Sequence, residues 1–94
     1  MRVVGRERIA EFQKDHPDSV APLNRWVGIV EAAAWKNPAE VRATFGSADF
    51  NGGKVIFNIG GNKYRLIAAI SFEIRTLSVA AVLTHSEYDK GKWK

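Results

Sequence analysis

The sequence predicts an α+β fold in which N-terminal helices pack on one face of a mostly antiparallel sheet of about four strands. In the first half of the chain, apolar residues recur at the spacing of an amphipathic helix. After residue 47 the spacing changes to the alternation that is typical of β-strands. Two glycine-containing turns, at residues 51–53 and 60–62, then divide the second half into strands joined by hairpins.

A short strand and a helix are predicted at the N-terminus. Residues 2–4 have the apolar character of a strand. Ile9 and Phe12 are three positions apart, which places them on one face of a helix over residues 6–15. This helix is expected to end at His16, because the proline that follows disfavours helical geometry at the residue before it.

Two further helices complete the helical half. Asp18 is expected to be the N-cap of the second helix. The apolar stripe of that helix consists of Leu23, Trp26, Val27, Val30 and Ala34. Asn37 then caps a short third helix, with proline in its first position and Glu40 three residues after the cap, as in a capping box. Gly46 is expected to end the third helix.

Three strands are predicted in the second half, over residues 54–59, 63–72 and 76–84. The last two are apolar on both faces, as expected of central strands that are covered on both sides.

Composition limits what such a protein can do. Ninety-four residues with 46% hydrophobic content predict one domain, residues 1–94, with a single core. There is no cysteine and there are only two histidines, far apart in sequence, so we expect no metal and no cofactor. No stretch approaches the roughly 18 apolar residues needed to cross a bilayer, and the first residues lack the apolar region of a signal peptide. We therefore expect a cytoplasmic protein with no membrane partner.

The charge distribution favours an anionic partner. The net charge is +4, with seven Lys and Arg against six Asp and Glu in residues 1–47 and seven against four in residues 48–94. The sheet half is therefore the more basic half, which suits nucleic acid or an acidic protein. A net charge of this size is also common in small soluble domains.

The best candidate site lies around the second hairpin and the end of the last predicted strand. Lys63, Tyr64 and Arg65 are consecutive, so strand alternation would place both cations on one face and the tyrosine on the other. If the last strand lies beside the hairpin, His85 and Tyr88 come near the two cations.

These residue types could cleave RNA without a metal. A ribose 2′-hydroxyl attacks the adjacent phosphate, so the site requires a base, an acid and donors to the extra negative charge on phosphorus. The two cations can stabilise that charge. His85, Tyr88 or Asp89 can move protons, and Asn58 could donate a hydrogen bond to a sugar or base. The same set could also bind a phosphate without chemistry.

Each candidate also has a purely structural interpretation. Arg65 could pair with Glu73 or Asp89, because arginine is rarely buried without a partner. His85 could be a surface histidine and Tyr88 an aromatic residue at the rim of the core. The lysine beside the turn could simply be solvated.

Three segments carry a resemblance to a known family. They are WKNP at residues 35–38 with the short helix that follows, VIFNIGGNKYRL at residues 55–66, and THSEYDK at residues 84–90. In this order and spacing they resemble the HigB-type toxins, which belong to the RelE/ParE superfamily of bacterial type II toxin–antitoxin systems. The resemblance covers nearly the whole chain.

The resemblance implies a RelE-like domain that acts as an mRNA interferase, an endoribonuclease that commonly cleaves mRNA on the translating ribosome. It also implies a HigA-like helix-turn-helix antitoxin that holds the toxin inactive. Carried over position by position, it assigns catalysis to Arg65, His85 and Tyr88, with Lys63 and Asp89 in support of substrate binding.

Two positions depart from the pattern of this family. Many relatives have glycine just before the Thr-His pair, where this chain has Leu83. Relatives tend to have a basic residue five positions before the histidine, where this chain has Ala80. Loss of a phosphate-facing cation would weaken substrate binding or transition-state stabilisation. The departure at Ala80 favours an alternative function, a non-catalytic RelE/ParE-like inhibitor or a degenerate toxin that binds an antitoxin or another protein target.

Overall fold

The computed structural model describes residues 1–91 and residue 93, and within them a short strand and three helices precede a run of hairpins and a last short helix. The strands are β1 (Arg2–Val4), β2 (Asp49–Asn51), β3 (Lys54–Ile59), β4 (Tyr64–Ser71) and β5 (Thr76–Thr84). The helices are α1 (Arg6–Asp15), α2 (Val20–Ala32), α3 (Pro38–Thr44) and α4 (His85–Asp89), with a 3-10 turn at Pro17–Ser19. No helix in this part of the chain is long and apolar enough to cross a membrane.

The strands form one sheet in the order β1-β5-β4-β3-β2. Strands β2 to β5 are joined by antiparallel pairing, whereas β1 pairs in parallel with the start of β5. The predicted α+β class with a mostly antiparallel sheet is therefore confirmed. The sheet has one strand more than the four that were predicted, because residues 49–51 pair with β3 as an additional edge strand, β2.

Helices α1 and α2 cover one face of the sheet, which we call the helical face. From α2, Leu23, Trp26 and Val30 are buried, as the predicted stripe requires, and they join Phe57 and Leu66 from the sheet in one core. Burying each of these large side chains stabilises the fold by about 1.5–3 kcal/mol before entropy is counted.

The ends of the helices differ from prediction at two places. Asp18 does not cap α2; it lies in the 3-10 turn, and Ser19 precedes the helix without a side-chain capping bond. Asn37 does cap α3, since its Oδ1 accepts from the backbone N–H of Glu40 at 3.0 Å. That helix ends at Thr44 with Phe45 as its C-cap, so Gly46 does not form the cap.

The opposite face of the sheet, which we call the open face, is covered less completely. Ile56 and Ile67 are paired across β3 and β4 and are buried there, outside the main core. Strand β4 is buried on both faces over its first five residues, as predicted. Strand β5 is not, because Ser78 and Ala80 are exposed.

Candidate active site

The turn over residues 60–63 connects β3 to β4 and frames the candidate site. Gly60 and Gly61 both have left-handed backbone conformations, with φ of 62° and 70°, which glycine adopts without steric cost. Strand β4 starts immediately afterwards, at Tyr64. The turn therefore determines the position of Arg65, the second residue of β4, at this end of the sheet.

Arg65 is the buried cation of the site, with 8% of its surface exposed. Its Nη1 donates to the backbone oxygens of Asn62 at 3.2 Å and Tyr64 at 3.1 Å, and its Nη2 donates to Asn62 Oδ1 at 2.7 Å. These acceptors are all neutral. In residues 1–91 and 93, no carboxylate lies within ion-pair distance of the guanidinium, so the alternative pairings with Glu73 and Asp89 are not found.

The charge of Arg65 is therefore not neutralised by the described residues. A guanidinium has five N–H groups, and the three hydrogen bonds leave its Nε–H and one Nη2–H without a partner in the described part of the chain. Burial of a cation normally requires an anion or several hydrogen bonds. This arrangement retains positive charge and two donors for an anionic ligand.

Helix α4 carries three candidate residues and was not predicted. It is held by a capping box: Thr84 Oγ1 accepts from the Glu87 N–H at 3.1 Å, and Glu87 Oε1 accepts from the Thr84 N–H at 2.9 Å. The hydrogen bond from the Thr84 backbone is the main cause that lowers the pKa of Glu87. The Thr-x-x-Glu pattern was visible in the sequence and could have indicated this helix.

His85 is the first residue of α4 and forms an ion pair with Asp89. The distance from His85 Nδ1 to Asp89 Oδ2 is 3.0 Å, and both side chains are about half exposed. A carboxylate at Nδ1 favours a proton on that nitrogen, which leaves Nε2 as the nitrogen that can exchange protons with a ligand. Asp89, which was predicted to support substrate binding, thus contacts the imidazole of His85.

Tyr88 lies against Arg65. The guanidinium carbon is 5.4 Å from the centroid of the Tyr88 ring, which is a cation–π contact. The Tyr88 ring also stacks on the ring of Trp93, with 4.9 Å between the two centroids. Trp93 Nε1 donates to the Tyr88 backbone oxygen at 2.9 Å. No feature of the sequence indicated this role of Trp93.

Lys63 does not lie on the face predicted for it. Its ammonium donates to Asp18 Oδ2 at 2.8 Å, and the Tyr64 hydroxyl donates to Asp18 Oδ1 at 2.6 Å. Tyr64 packs on the helical face, so Lys63 also extends to that side, away from Arg65. The prediction that the two cations share a face is wrong, because Lys63 belongs to the turn and strand alternation starts one residue later.

The Asp18 contacts also shift three pKa values. The hydrogen bonds from Lys63 and Tyr64 lower the pKa of the Asp18 carboxyl below its usual value. The same carboxylate raises the pKa of the Lys63 ammonium and of the Tyr64 hydroxyl.

Asn58 and Ala80 are the remaining positions of interest. Asn58 is paired with Arg65 across β3 and β4, so its half-buried side chain lies on the open face beside the guanidinium. The register between β4 and β5 shifts at Ile67 and Ala68, which leaves Ala80 without a cross-strand partner, as in a β-bulge. Ala80 lines a cleft of about 300 Å³ against α1, together with Arg8.

The structure thus places three of the six predicted residues on α4, a fourth in contact with that helix and a fifth in the neighbouring strand. Arg65 contacts Tyr88, His85 contacts Asp89, and Asn58 is the cross-strand neighbour of Arg65. Lys63 alone is directed elsewhere. Helices α1 and α2 on one face of a mostly antiparallel five-stranded sheet make the architecture RelE-like.

Comparison with known proteins agrees with this architecture. Residues 19–91 match the HigB toxin family, described as the RelE-like toxic component of a toxin–antitoxin system. The chain belongs to this family, and the resemblance seen in the sequence is confirmed. Membership implies an antitoxin as partner.

Individual relatives match over nearly their whole length. The chain is 26% identical over 92 residues to the mRNA interferase toxin HigB of Escherichia coli K12. This match covers 95% of the chain and 88% of the relative. The mRNA interferase HigB of Shigella flexneri shows the same identity and coverage. The mRNA interferase HigB of Escherichia coli O6:H1 is 25% identical over 93 residues, covering 96% and 90%.

Proposed function

We propose that this chain is the toxin of a type II toxin–antitoxin system, a single-domain, metal-independent endoribonuclease that cleaves mRNA and so inhibits translation. The observation that carries the proposal is a buried arginine with no carboxylate partner in residues 1–91 and 93, in contact with the helix that bears a histidine–aspartate pair. Family membership and relatives that are named mRNA interferases support it.

Each group has a role in the cleavage. The ribose 2′-oxygen loses its proton to a base and attacks phosphorus, and the 5′-oxygen leaves with a proton from an acid, which yields a 2′,3′-cyclic phosphate and a 5′-hydroxyl. His85 and Tyr88 exchange these protons. The two remaining N–H groups of Arg65 stabilise the charge on the phosphate oxygens. Asp89 orients the imidazole, and Asn58 contacts the sugar or base.

The proposed substrate is mRNA on the ribosome, in the cytoplasm, and the proposed antitoxin is a HigA-like helix-turn-helix protein. The excess of Lys and Arg in the sheet half supports a polyanionic substrate. Lys63, which is exposed and paired with Asp18, serves substrate binding only if it exchanges that partner for a phosphate.

The test is cleavage of mRNA by the purified chain on programmed ribosomes, with the new ends mapped by primer extension. We expect Arg65→Ala and His85→Ala to lose cleavage by about 100-fold or more, since electrostatic and acid–base groups contribute on that order. Arg25→Ala is the matched control, because Arg25 is exposed on α2. Cleavage by Arg65→Ala and His85→Ala at the parent rate would refute the roles assigned here.

The alternative, a non-catalytic inhibitor, is favoured by Ala80, which provides no cation at the bulge of β5. As an inhibitor of another protein target it predicts toxicity without mRNA fragments when the chain is induced in bacteria, and as a degenerate toxin it predicts no toxicity. Translation arrest accompanied by mapped mRNA cuts rejects it, whereas DNA damage or absence of toxicity supports it.

A further inference from the structure

The carboxamide of Asn62 is held in one orientation by Arg65. Its Oδ1 accepts from Arg65 Nη2 at 2.7 Å, and its backbone oxygen accepts from Arg65 Nη1 at 3.2 Å. Because a guanidinium can only donate, the side-chain atom that faces it must be the oxygen. The Nδ2 amide group therefore points away from Arg65. No described residue accepts a hydrogen bond from it, and Asn62 is exposed.

We propose that Asn62 is a substrate-binding residue, whose Nδ2 donates to a non-bridging oxygen of an RNA phosphodiester at the site; the inference rests on the proposed ribonuclease function. Arg65 is only 8% exposed, so its own contact with a ligand is restricted to the edge that remains open. Asn62, by contrast, is exposed, and it accepts hydrogen bonds from this cation. A guanidinium that polarises the carboxamide oxygen strengthens the opposite N–H donors.

The backbone does not explain why asparagine stands at this position. Asparagine is common in turns because it tolerates left-handed conformations. In the described residues the only non-glycine residue with positive φ is Arg75, so Asn62 has no such conformation to support. The two left-handed positions of the turn are taken by Gly60 and Gly61. The side chain of Asn62 is therefore explained by its hydrogen bonds and not by the shape of the turn.

Two substitutions test the role of Asn62. Asn62→Asp keeps an oxygen for the guanidinium but removes the N–H donors, whereas Asn62→Ala removes both. Because Asn62→Asp also places a carboxylate beside Arg65, an amide titration decides whether a loss of cleavage reflects the lost donor. We expect both variants to lower kcat/KM for mRNA cleavage on programmed ribosomes by about tenfold or more, the cost of losing a donor to an ionised group. If Asn62→Asp cleaves within about twofold of the parent, Asn62 only positions Arg65 and the inference is overturned.

Asn24→Asp is the matched control for the added negative charge. Asn24 is an exposed asparagine on α2 whose Oδ1 also accepts a side-chain hydrogen bond, from Gln13 at 3.1 Å. It should cleave at the parent rate. Raising the salt concentration provides a second control: a defect caused only by charge repulsion shrinks with salt, while a lost donor does not. Full rescue of Asn62→Asp by salt would overturn the inference.

A titration tests directly whether the Asn62 amide contacts a phosphate, and it does so whether or not the parent chain cleaves RNA. A parent chain that does not cleave would by itself reject the proposed function. The probe is a short 2′-O-methyl RNA oligonucleotide, which carries phosphodiesters but no attacking hydroxyl. The readout is the ¹H–¹⁵N resonance pair of each side-chain amide. Movement of the Asn62 pair while the Asn24 pair stays in place supports the phosphate contact, and an unmoved Asn62 pair overturns it.

Discussion

The backbone N–H of His85 donates a 3.1 Å hydrogen bond to the carbonyl oxygen of Lys63. The helix that carries His85 therefore starts at the same turn whose Asn62 holds the guanidinium of Arg65. Arg65 and His85 are 20 positions apart in the chain, yet both bond to neighbouring residues of one turn. Arg65 donates to Asn62, and the backbone of His85 donates to Lys63. The relative placement of the imidazole and the cation depends on this turn and on the integrity of α4.

Removal of the N-cap of α4 should lower the cleavage rate by more than the accompanying loss of folding stability explains. Thr84→Ala loses the hydroxyl that accepts from Glu87, at a cost of about 1 kcal/mol in the free energy of unfolding. Five residues are too few to form a helix without such support. Since α4 carries His85, Tyr88 and Asp89, we expect a larger loss of cleavage than urea unfolding alone would indicate. Thr84→Ser keeps the acceptor and should restore both quantities.

The carboxylate of Asp89 should matter through the imidazole it contacts. Asp89→Asn removes the charge 3.0 Å from His85 Nδ1, so we expect the cleavage rate to fall by about tenfold, a fraction of a full acid–base contribution. Asp49→Asn, on the exposed strand β2, makes the same change of charge away from α4 and should leave the rate unaltered. Equal rates for the parent and the Asp89 variant would show that this ion pair plays no part in catalysis.

The hydroxyl and the ring of Tyr88 can be tested separately. Tyr88→Phe keeps the ring that faces Arg65 and stacks on Trp93, so the stability measured by thermal unfolding should stay near that of the parent. If the hydroxyl transfers a proton, the cleavage rate should fall by about 100-fold. Tyr88→Ala also loses the cation–π contact, which is worth about 0.5–2 kcal/mol. A fully active Tyr88→Phe would assign the residue a purely structural role.

Most of the fold could be predicted because its signals are local. The bounds of α1 and β5 agree with the sequence prediction, since a proline ends the former and alternation defines the latter. Helix α4 was missed because five residues show almost no periodicity, although its capping box was present.

The details of the site were harder to predict because they depend on contacts between distant segments. Lys63 was placed on the wrong face because it was counted as the first residue of β4, whereas it belongs to the turn and alternation does not extend to it. The contact with Asp18, 45 residues away, has no local signal. Nor could the sequence show that Asn62, rather than a carboxylate, would satisfy the guanidinium of Arg65.

The acid dependence of stability should contain a contribution from Asp18. Its pKa is lowered from 3.8 by Lys63 and Tyr64, so the folded state is favoured above the unfolded pKa, and that advantage is lost as the pH falls through the folded value. The raised pKa values of Lys63 and Tyr64 act oppositely, so their contributions are present below the unfolded values and disappear as the medium becomes strongly alkaline.

We therefore expect Asp18→Asn to be less stable than the parent at pH 7, with a difference that shrinks as the pH falls below 3.8 and is lost once the pH is below the lower pKa of the folded state. The effect should be small, because exposed ion pairs contribute little. Urea unfolding across this pH range is the measurement, and Asp15→Asn, in the last turn of α1, is the control. A difference that persists unchanged at pH 3 would contradict this origin.

The junction between β1 and α1 should tolerate only glycine. Gly5 has φ of 88°, and a Cβ placed there would lie 2.8 Å from the backbone oxygen of Val79, which cannot move without disturbing β5. Gly5→Ala should thus lower the free energy of unfolding by about 1–3 kcal/mol. Gly28 in α2 is the matched control, since a Cβ there meets nothing within 4 Å. Gly28→Ala should raise stability by about 0.5–1 kcal/mol, because alanine loses less entropy in a helix. Opposite signs in urea unfolding would establish that close approach to Val79, and not the loss of a glycine as such, determines the effect.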